Sequence, residues 1–157
     1  MKKHWMICLM LCLALCACSG NPGGNGDKTP DKTPEELAET LLDGISFGDT
    51  LTEAPFDTGC TLYRLEAEGL SGVFYMGTGA SAEELTILQA EDETRAEEVE
   101  TAAKEHLDYQ KDSYRDYIPA EMEKLDRAVV LRQGKMVIYC VSADKKAADQ
   151  ISAAFGE

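Results

Sequence analysis

Hydrophobic and polar positions alternate with a helical period in some stretches and a strand period in others. This predicts the order helix, hairpin, long helix, hairpin, helix. Helices are expected at residues 34–44, from a cap at Asp92 to about Ser113, and near the C-terminus after a cap at Ser142 or Asp144. Strands are expected at residues 73–76, 85–90, 128–131 and 136–141. Shorter helical segments are expected near residues 56–65 and 119–125. Residues 33–157 therefore form a single α+β domain, long enough to bury a core of its own.

The segment of residues 136–141, MVIYCV, is apolar on both of its faces, so it is expected to be an inner strand. A turn in which Gly134 supplies a positive φ joins it to residues 128–131. The full expectation is a four-stranded, mainly antiparallel sheet built from two hairpins. A long helix lies between the hairpins in the chain, and the N- and C-terminal helices pack on the sheet, with the helices largely on one face.

The N-terminal segment, residues 1–17, is expected to be a signal peptide. Lys2 and Lys3 form its positive region, and residues 5–15 form its apolar region. This apolar run is shorter than the roughly 20 residues that a helix needs to cross a bilayer. The segment is therefore typical of an export signal and not of a membrane span.

The residues at the end of this segment, Leu15-Cys16-Ala17-Cys18, resemble the lipobox of bacterial lipoproteins. In that family a diacylglyceryl group is attached to the cysteine thiol, and the signal is cleaved just before it. Cys18 fits because the small residue Ala17 precedes it, whereas Cys16 follows the bulky Leu15. Cleavage is thus expected between Ala17 and Cys18, and Cys18 is the expected lipidation site.

Residues 19–32, SGNPGGNGDKTPDK, have the composition of a flexible linker. The expected organisation is a lipidated cysteine and linker over residues 18–32, followed by the domain. Two acyl chains hold a protein stably on a bilayer. The expected location is therefore the extracytoplasmic face of the cell membrane, with the membrane contacted through the anchor on Cys18.

The chain is strongly acidic, with a formal net charge of -14. Removal of Lys2 and Lys3 with the signal makes the mature chain two units more negative. Such a surface repels phosphate backbones, so nucleic acid is not an expected partner. It also repels anionic lipid headgroups, so the domain is expected to stand off the bilayer surface.

Several segments, taken in their order along the chain, resemble the DUF4358 family of small lipoproteins, which are typical of Gram-positive anaerobes. They are TPEELAETLLDGISFGDTL, VFYMGTGASAEELTILQAED, a long acidic helix running into YQKDSYRDYIP, and VVLRQGKMVIYCVSAD. The resemblance covers nearly the whole mature domain. The function of that family is unknown, so the resemblance assigns no catalytic residue. It implies a host with a single membrane.

Two glycine motifs lack the context that their chemistry needs. Residues 44–48 spell G-x-S-x-G but follow a helix, whereas a nucleophile elbow joins a strand to a helix. Residues 77–82 spell G-x-G-x-x-A but lead to another strand, whereas a dinucleotide site needs a helix there. Both motifs are interpreted as turns.

The remaining candidates for chemistry are sparse. His106 is the only histidine outside the signal, and the acidic loop with Asp49, Glu53 and Asp57 lacks the spacing that wraps a calcium ion. We therefore expect a non-catalytic binding or accessory module of the cell envelope, with an envelope protein as a candidate partner and no cofactor or metal. The alternative is a small envelope enzyme with a site around His106, Cys60 or the acidic loop.

The densest aromatic cluster of the chain contains Tyr109, Tyr114 and Tyr117, with Arg115 among them. Tyrosine and arginine are enriched at protein interfaces, which makes these residues a candidate interface. The alternative is that the rings seal the junction between the long helix and the sheet. Export also permits a disulfide between Cys60 and Cys140, but a chain with its own core does not need one, and two free thiols are expected.

We predict that Cys18→Ala abolishes acylation and membrane retention, because it removes the only thiol that follows a small residue at the expected cleavage point. Cys16→Ala is the matched control and should leave both unchanged, because Cys16 serves only as an apolar residue of the signal. Incorporation of radiolabelled palmitate, combined with membrane fractionation, measures both effects. Label retained by Cys18→Ala, or equal loss in the two variants, would contradict the assignment.

Overall fold

The computed structural model describes residues 29–155 of the 157-residue chain. Its helices are α1 Pro34–Gly44, α2 Phe56–Leu62, α3 Glu93–Tyr117, α4 Met122–Leu125 and α5 Ala147–Phe155, with a 3₁₀ turn at Pro119–Glu121. Its strands are β1 Thr52–Glu53, β2 Leu70–Met76, β3 Glu84–Ala90, β4 Val129–Gln133 and β5 Met136–Val141. The expected signal peptide, Cys18 and most of the expected linker lie outside the described residues. Within residues 29–155, no helix is both long enough and apolar enough to cross a membrane.

The strands form one antiparallel sheet in the order β1-β2-β3-β5-β4. Both predicted hairpins are present, and β5 is an inner strand with every residue buried, as its two-sided apolar pattern predicts. The prediction of four strands is wrong by one, because β1 adds a fifth strand at the edge beside β2. Thr52 and Glu53 are both exposed and polar, so β1 carries no hydrophobic alternation that could indicate a strand.

Helices cover both faces of the sheet, and the expectation that they lie largely on one face is wrong. Helices α1 and α5 pack on one face, where β3 contributes Leu85 and Ile87. Helices α2, α3 and α4 pack on the other face, where β3 contributes Leu88 and Ala90. Because both sets of alternate residues on the inner strands are apolar, each set needs its own layer of helices.

The helix ends form where the sequence provides caps. The Thr33 hydroxyl accepts a hydrogen bond from the Glu36 amide, and the Glu36 carboxylate accepts one from the Thr33 amide, while Pro34 occupies the first turn of α1. The Asp92 carboxylate accepts from the Arg95 amide at the start of α3. These caps confirm the predicted starts of the first helix and of the long helix.

Hydrogen bonds from two loops converge on a buried carboxylate, Glu83, just before the start of β3. The fully buried Glu83 carboxylate accepts hydrogen bonds from the backbone amides of Asp49, at 2.6 Å, and Ala143, at 2.7 Å. The Lys124 ammonium lies 3.6 Å from Glu83 and 3.0 Å from the Glu121 carboxylate. The network thus connects the α1–β1 loop, the β5–α5 loop and α4 at one end of the sheet.

The two cysteines of the domain are buried free thiols. Cys60 lies in the cluster beneath α2 and α3, and Cys140 lies in the cluster beneath α1 and α5, so the sheet separates them. Burial raises the pKa of the Cys60 thiol, and it raises that of Cys140 to about 12. Both thiols are therefore protonated and poorly reactive at neutral pH.

The start of the described chain contacts the turn between β4 and β5. The Thr29 hydroxyl accepts a hydrogen bond of 3.0 Å from the Lys135 amide. Gly134 has a φ of +56°, as predicted for this turn, and a Cβ atom at Gly134 would lie 2.5 Å from the Thr29 hydroxyl. The chain therefore approaches α1 past the end of the sheet at which β5 begins.

Gly59 and Gly44 form a matched pair for testing the packing of the helices. A Cβ atom on Gly59 would lie 2.2 Å from the buried Phe74 ring, whereas one on Gly44 would make only an ordinary contact with Gln150 at 3.6 Å. We predict that Gly59→Ala lowers the free energy of unfolding by about 1–3 kcal/mol through overpacking. Gly44→Ala should leave it unchanged or raise it by about 0.5 kcal/mol. Urea denaturation measures both, and equal effects would contradict the packing described.

A second prediction concerns pH and the Glu121 carboxylate, which accepts hydrogen bonds from the Ala82 amide and the Ser81 hydroxyl. Burial acts to raise the pKa of Glu121, but these bonds and the Lys124 charge outweigh it and lower the pKa overall. Glu121 therefore stabilises the fold above its unfolded pKa, and this contribution is lost as the pH falls through the lower folded value.

We expect Glu121→Gln to lower the free energy of unfolding by about 1–2 kcal/mol at pH 7. The deficit should shrink as the pH falls below about 4, where the wild-type carboxyl group takes up its proton. Glu39→Gln is the control, because Glu39 is exposed on α1. Denaturant titrations between pH 3 and 7 test the prediction, and a deficit that stays constant over this range would refute it.

Candidate functional site

The most unusual buried group in the domain is the carboxylate of Glu84, the first residue of β3. Its side chain points to the face of the sheet covered by α3, and only 5% of it is exposed. A buried carboxylate is costly unless hydrogen-bond donors surround it. The residues around Glu84 therefore show how the sequence accommodates this charge.

Four side chains donate to the Glu84 carboxylate. The Tyr63 hydroxyl and the Thr86 hydroxyl, the latter at 2.9 Å, bind Oε1. The Gln110 amide at 3.0 Å and His106 Nε2 at 3.1 Å bind Oε2. The donors come from the end of α2, from β3 and from α3. One carboxylate thus fixes the positions of three elements relative to one another.

His106 is held firmly in this network. Its ring stacks on the Tyr63 ring, with centroids 4.2 Å apart, and meets the edge of the Tyr139 ring at 5.4 Å. Because Nε2 faces a carboxylate oxygen, it carries a hydrogen, and in the neutral ring Nδ1 is then the nitrogen with a free lone pair. Nδ1 has no hydrogen-bond partner among the described residues, and His106 lines two cavities.

The two buried tyrosines remain hydrogen-bond donors at any physiological pH. Burial, followed by the negative charge of Glu84, raises the pKa of Tyr63 well above its usual range. The same causes raise the pKa of Tyr139, whose hydroxyl donates to the Gln110 side chain at 2.7 Å. Neither phenol is available as a proton donor for chemistry, so both serve to position His106 and Gln110.

Two cavities of about 230 Å³ each are lined in part by His106. Both are bounded by Leu62, His106 and Tyr109, and together we call them the His106 cleft. One cavity lies toward α2 and is also lined by Thr61, Tyr63, Arg64, Ala102 and Glu105. The other lies toward the β2–β3 turn and is also lined by Met76, Gly77, Gly79, Ser81, Ala82, Glu83, Glu84, Gln110, Ser113 and Tyr114.

The rim of the cleft carries exposed apolar side chains. Leu62 is 50% exposed and Tyr109 is 62% exposed. Among the described residues, the only other large hydrophobic side chain exposed to this degree is Tyr117. The domain therefore places two of its three exposed large hydrophobic residues at the mouth of one cleft, above a polar floor.

The residues of the predicted tyrosine cluster differ in their position relative to the cleft. Tyr109 is on the cleft rim, whereas the Tyr114 hydroxyl donates to the Ser81 carbonyl at 2.8 Å and helps to close the far end of the cleft. Arg115 pairs with Asp112 on the surface of α3, at 3.0 Å. Tyr117 is 79% exposed at the end of α3 and lies outside the residues that line the cleft.

The other candidate residues do not join His106. The Cys60 thiol is buried beneath α2 and does not line the cleft. The expectation that Asp49, Glu53 and Asp57 share one loop is wrong, because Glu53 lies in β1 and Asp57 lies in α2. The Asp49 carboxylate accepts from the Thr78 amide and hydroxyl, both at 2.8 Å, and Glu53 accepts from the Tyr75 hydroxyl. Within residues 29–155, no three histidine, cysteine or carboxylate side chains are grouped closely enough to hold a metal ion.

Sequence reasoning identified His106 but missed its partners Glu84, Tyr63 and Gln110. One signal was present: Glu84 and Thr86 alternate with Leu85 and Ile87 at the start of an otherwise apolar strand. A charged residue on an inner strand implies a buried partner. The helix pattern adds a second signal, because Gln110 follows His106 by four residues and shares its face of α3.

A family model with the description "Domain of unknown function (DUF4358)" matches residues 60–142, which are more than half of the chain. The match includes every residue that lines the His106 cleft. No curated protein and no solved structure matches the chain. The chain therefore belongs to the DUF4358 family, a family of domains of unknown function.

Proposed function

We propose that this protein is a lipid-anchored component of the bacterial cell envelope that binds a small ligand in the His106 cleft without converting it. The observation that carries the proposal is the position of the exposed Leu62 and Tyr109 side chains at the mouth of a preformed cleft with a polar floor. Ligand sites typically combine an apolar lining with a few fixed polar groups in this way.

The rigidity of the cleft floor supports binding. Because the Glu84 carboxylate accepts four hydrogen bonds, His106 and Gln110 keep their positions whether or not a ligand is present. A preformed site loses little conformational entropy when it binds, so modest contacts are enough for useful affinity. The His106 Nδ1 atom then offers one oriented hydrogen-bond acceptor to the ligand.

The anchoring part of the proposal rests on residues 1–32. The apolar signal, the Leu15-Cys16-Ala17-Cys18 segment and the glycine-rich linker together favour lipidation at Cys18. The acidic surface fits a domain held near a membrane by acyl chains instead of by contact with anionic headgroups. An envelope protein that contacts the exposed Tyr117 is compatible with a small ligand in the cleft.

A small envelope enzyme is the second candidate function, and one observation favours it. The Glu84 carboxylate holds the Nε2 side of His106, a residue that lines the cleft, an arrangement by which a carboxylate prepares an imidazole to act as a general base. The aliphatic hydroxyls that line the cleft all donate hydrogen bonds to other groups: Thr61 to the Asp57 carbonyl at 2.8 Å, Ser113 to the Tyr109 carbonyl at 2.9 Å, and Ser81 to the Glu121 carboxylate at 3.1 Å. Catalysis would therefore require an activated water.

Benzyl alcohol tests the cleft, because it is neutral and offers one ring and one hydroxyl group. We predict that titration of the mature chain carrying Cys18→Ala shifts the backbone amide resonances of Leu62, His106 and Tyr109 in two-dimensional NMR spectra. Tyr109→Ser should weaken this binding at least fivefold, because it removes the exposed ring at the mouth. The matched control Tyr117→Ser, which removes an exposed ring outside the cleft, should not change it.

Shifts that map to another surface, or equal weakening by the two serine variants, would overturn binding in the cleft. The same samples separate binding from catalysis. A ligand that binds in the cleft and is recovered unchanged after long incubation supports the proposal. A ligand that is consumed by the wild-type chain but not by His106→Gln supports the enzyme.

A further inference from the structure

Two side chains of opposite charge line the cavity on the α2 side of the cleft. Arg64 follows α2, and Glu105 lies on α3. Neither side chain forms a hydrogen bond or an ion pair with any residue in the described part of the chain, although most other basic residues there are paired. The cavity therefore presents one available cation and one available anion at the same time.

The backbone at Arg64 allows its side chain to be tested without harm to the fold. Arg64 has a φ of +56° and is the only residue other than glycine with a positive φ among residues 29–155. This conformation ends α2: the Arg64 amide donates to the Thr61 carbonyl at 3.1 Å, and the Leu65 amide donates to the Cys60 carbonyl at 2.9 Å. Glycine is the usual residue at such a helix end, so Arg64→Gly can remove the guanidinium and keep the backbone.

The charge of the whole chain limits what this pair can bind. A purely anionic ligand would meet Arg64 but would be repelled by Glu105 and by a chain of net charge -14. A purely cationic ligand would meet Glu105 but would be repelled by Arg64. A ligand with one positive and one negative group a few bonds apart satisfies both side chains and has no net charge.

The rest of the cavity defines the uncharged part of the ligand. Leu62 and Tyr109 provide exposed apolar surface beside the charged pair, and the volume of about 230 Å³ suits a single small molecule. The His106 Nδ1 atom can accept one hydrogen bond at the floor. The complementary molecule therefore combines a zwitterionic head with one apolar side chain.

We infer that the His106 cleft binds a free α-amino acid with a large apolar side chain. The α-carboxylate pairs with the Arg64 guanidinium, the α-ammonium group pairs with Glu105, and the side chain lies between Leu62 and Tyr109. This inference rests on the proposed function, because it names the ligand of the same cleft. A peptide C terminus has the carboxylate without the ammonium group, and it is therefore an outcome of the test.

Isothermal titration calorimetry with three related probes tests the recognition of each charge. The probes are L-phenylalanine, N-acetyl-L-phenylalanine, which lacks the ammonium group, and L-phenylalaninamide, which lacks the carboxylate. The protein is the mature chain carrying Cys18→Ala, which removes only the acylation site. We expect L-phenylalanine to bind at least tenfold more tightly than either derivative. Equal binding of the N-acetyl derivative would overturn the inference in favour of a peptide C terminus.

Variants separate recognition from folding. Arg64→Gly should weaken L-phenylalanine binding at least tenfold and leave the melting temperature unchanged or higher, because glycine relieves the positive φ. Glu105→Gln should also weaken binding at least tenfold. Arg115→Ala, which removes an exposed arginine outside the cleft, is the control and should leave binding unchanged. Full binding by Arg64→Gly would overturn the inference.

The two proposals fail in different ways. If benzyl alcohol maps to the cleft and L-phenylalanine does not bind, the amino acid inference is wrong and the cleft remains a binding site. If neither probe reaches the cleft, both proposals are wrong.

Discussion

The burial of one carboxylate determines much of the arrangement on the α3 face of the sheet. The Glu84 side chain can lie beneath α3 only if donors satisfy both of its oxygens, because an unpaired buried charge costs several kcal/mol. Tyr63, His106 and Gln110 supply donors from two helices, and so the charge fixes the separation and rotation of α2 and α3. The cleft between these helices is a consequence of that spacing.

Most of the helices and strands could be predicted from sequence patterns that extend over a few residues. Thr33 and Asp92 provide side-chain caps that act within a few residues, so the starts of α1 and α3 could be predicted from sequence. The inner position of β5 followed from its two apolar faces. The edge strand β1 could not be predicted in the same way, because a two-residue pairing depends on contacts between distant segments. The second helical layer follows from the same two apolar faces of β5, although the sequence analysis placed the helices largely on one face.

The candidate site illustrates the same limit. His106 could be selected from the sequence as the only histidine outside the signal, but its role depends on Glu84, which lies 22 residues earlier, and on Tyr63, which follows α2. A periodic pattern describes which face of an element a residue occupies, not which residue it meets across the fold. The backbone conformation of Arg64 could not be predicted either, because Arg64 ends α2 at a position where glycine is the usual signal.

The contact between Thr29 and the β4–β5 turn shows at which end of the sheet the chain enters the domain. The turn lies where β5 begins, whereas Glu84 pairs with Val141 at the other end of that strand. A strand of six residues is about 20 Å long, so the Glu84 carboxylate and Thr29 lie at opposite ends of the sheet. Under the proposed acylation of Cys18, the anchored chain would enter the domain at the β4–β5 end. Glu84 and the β2–β3 turn would then lie at the end of the sheet farther from that attachment.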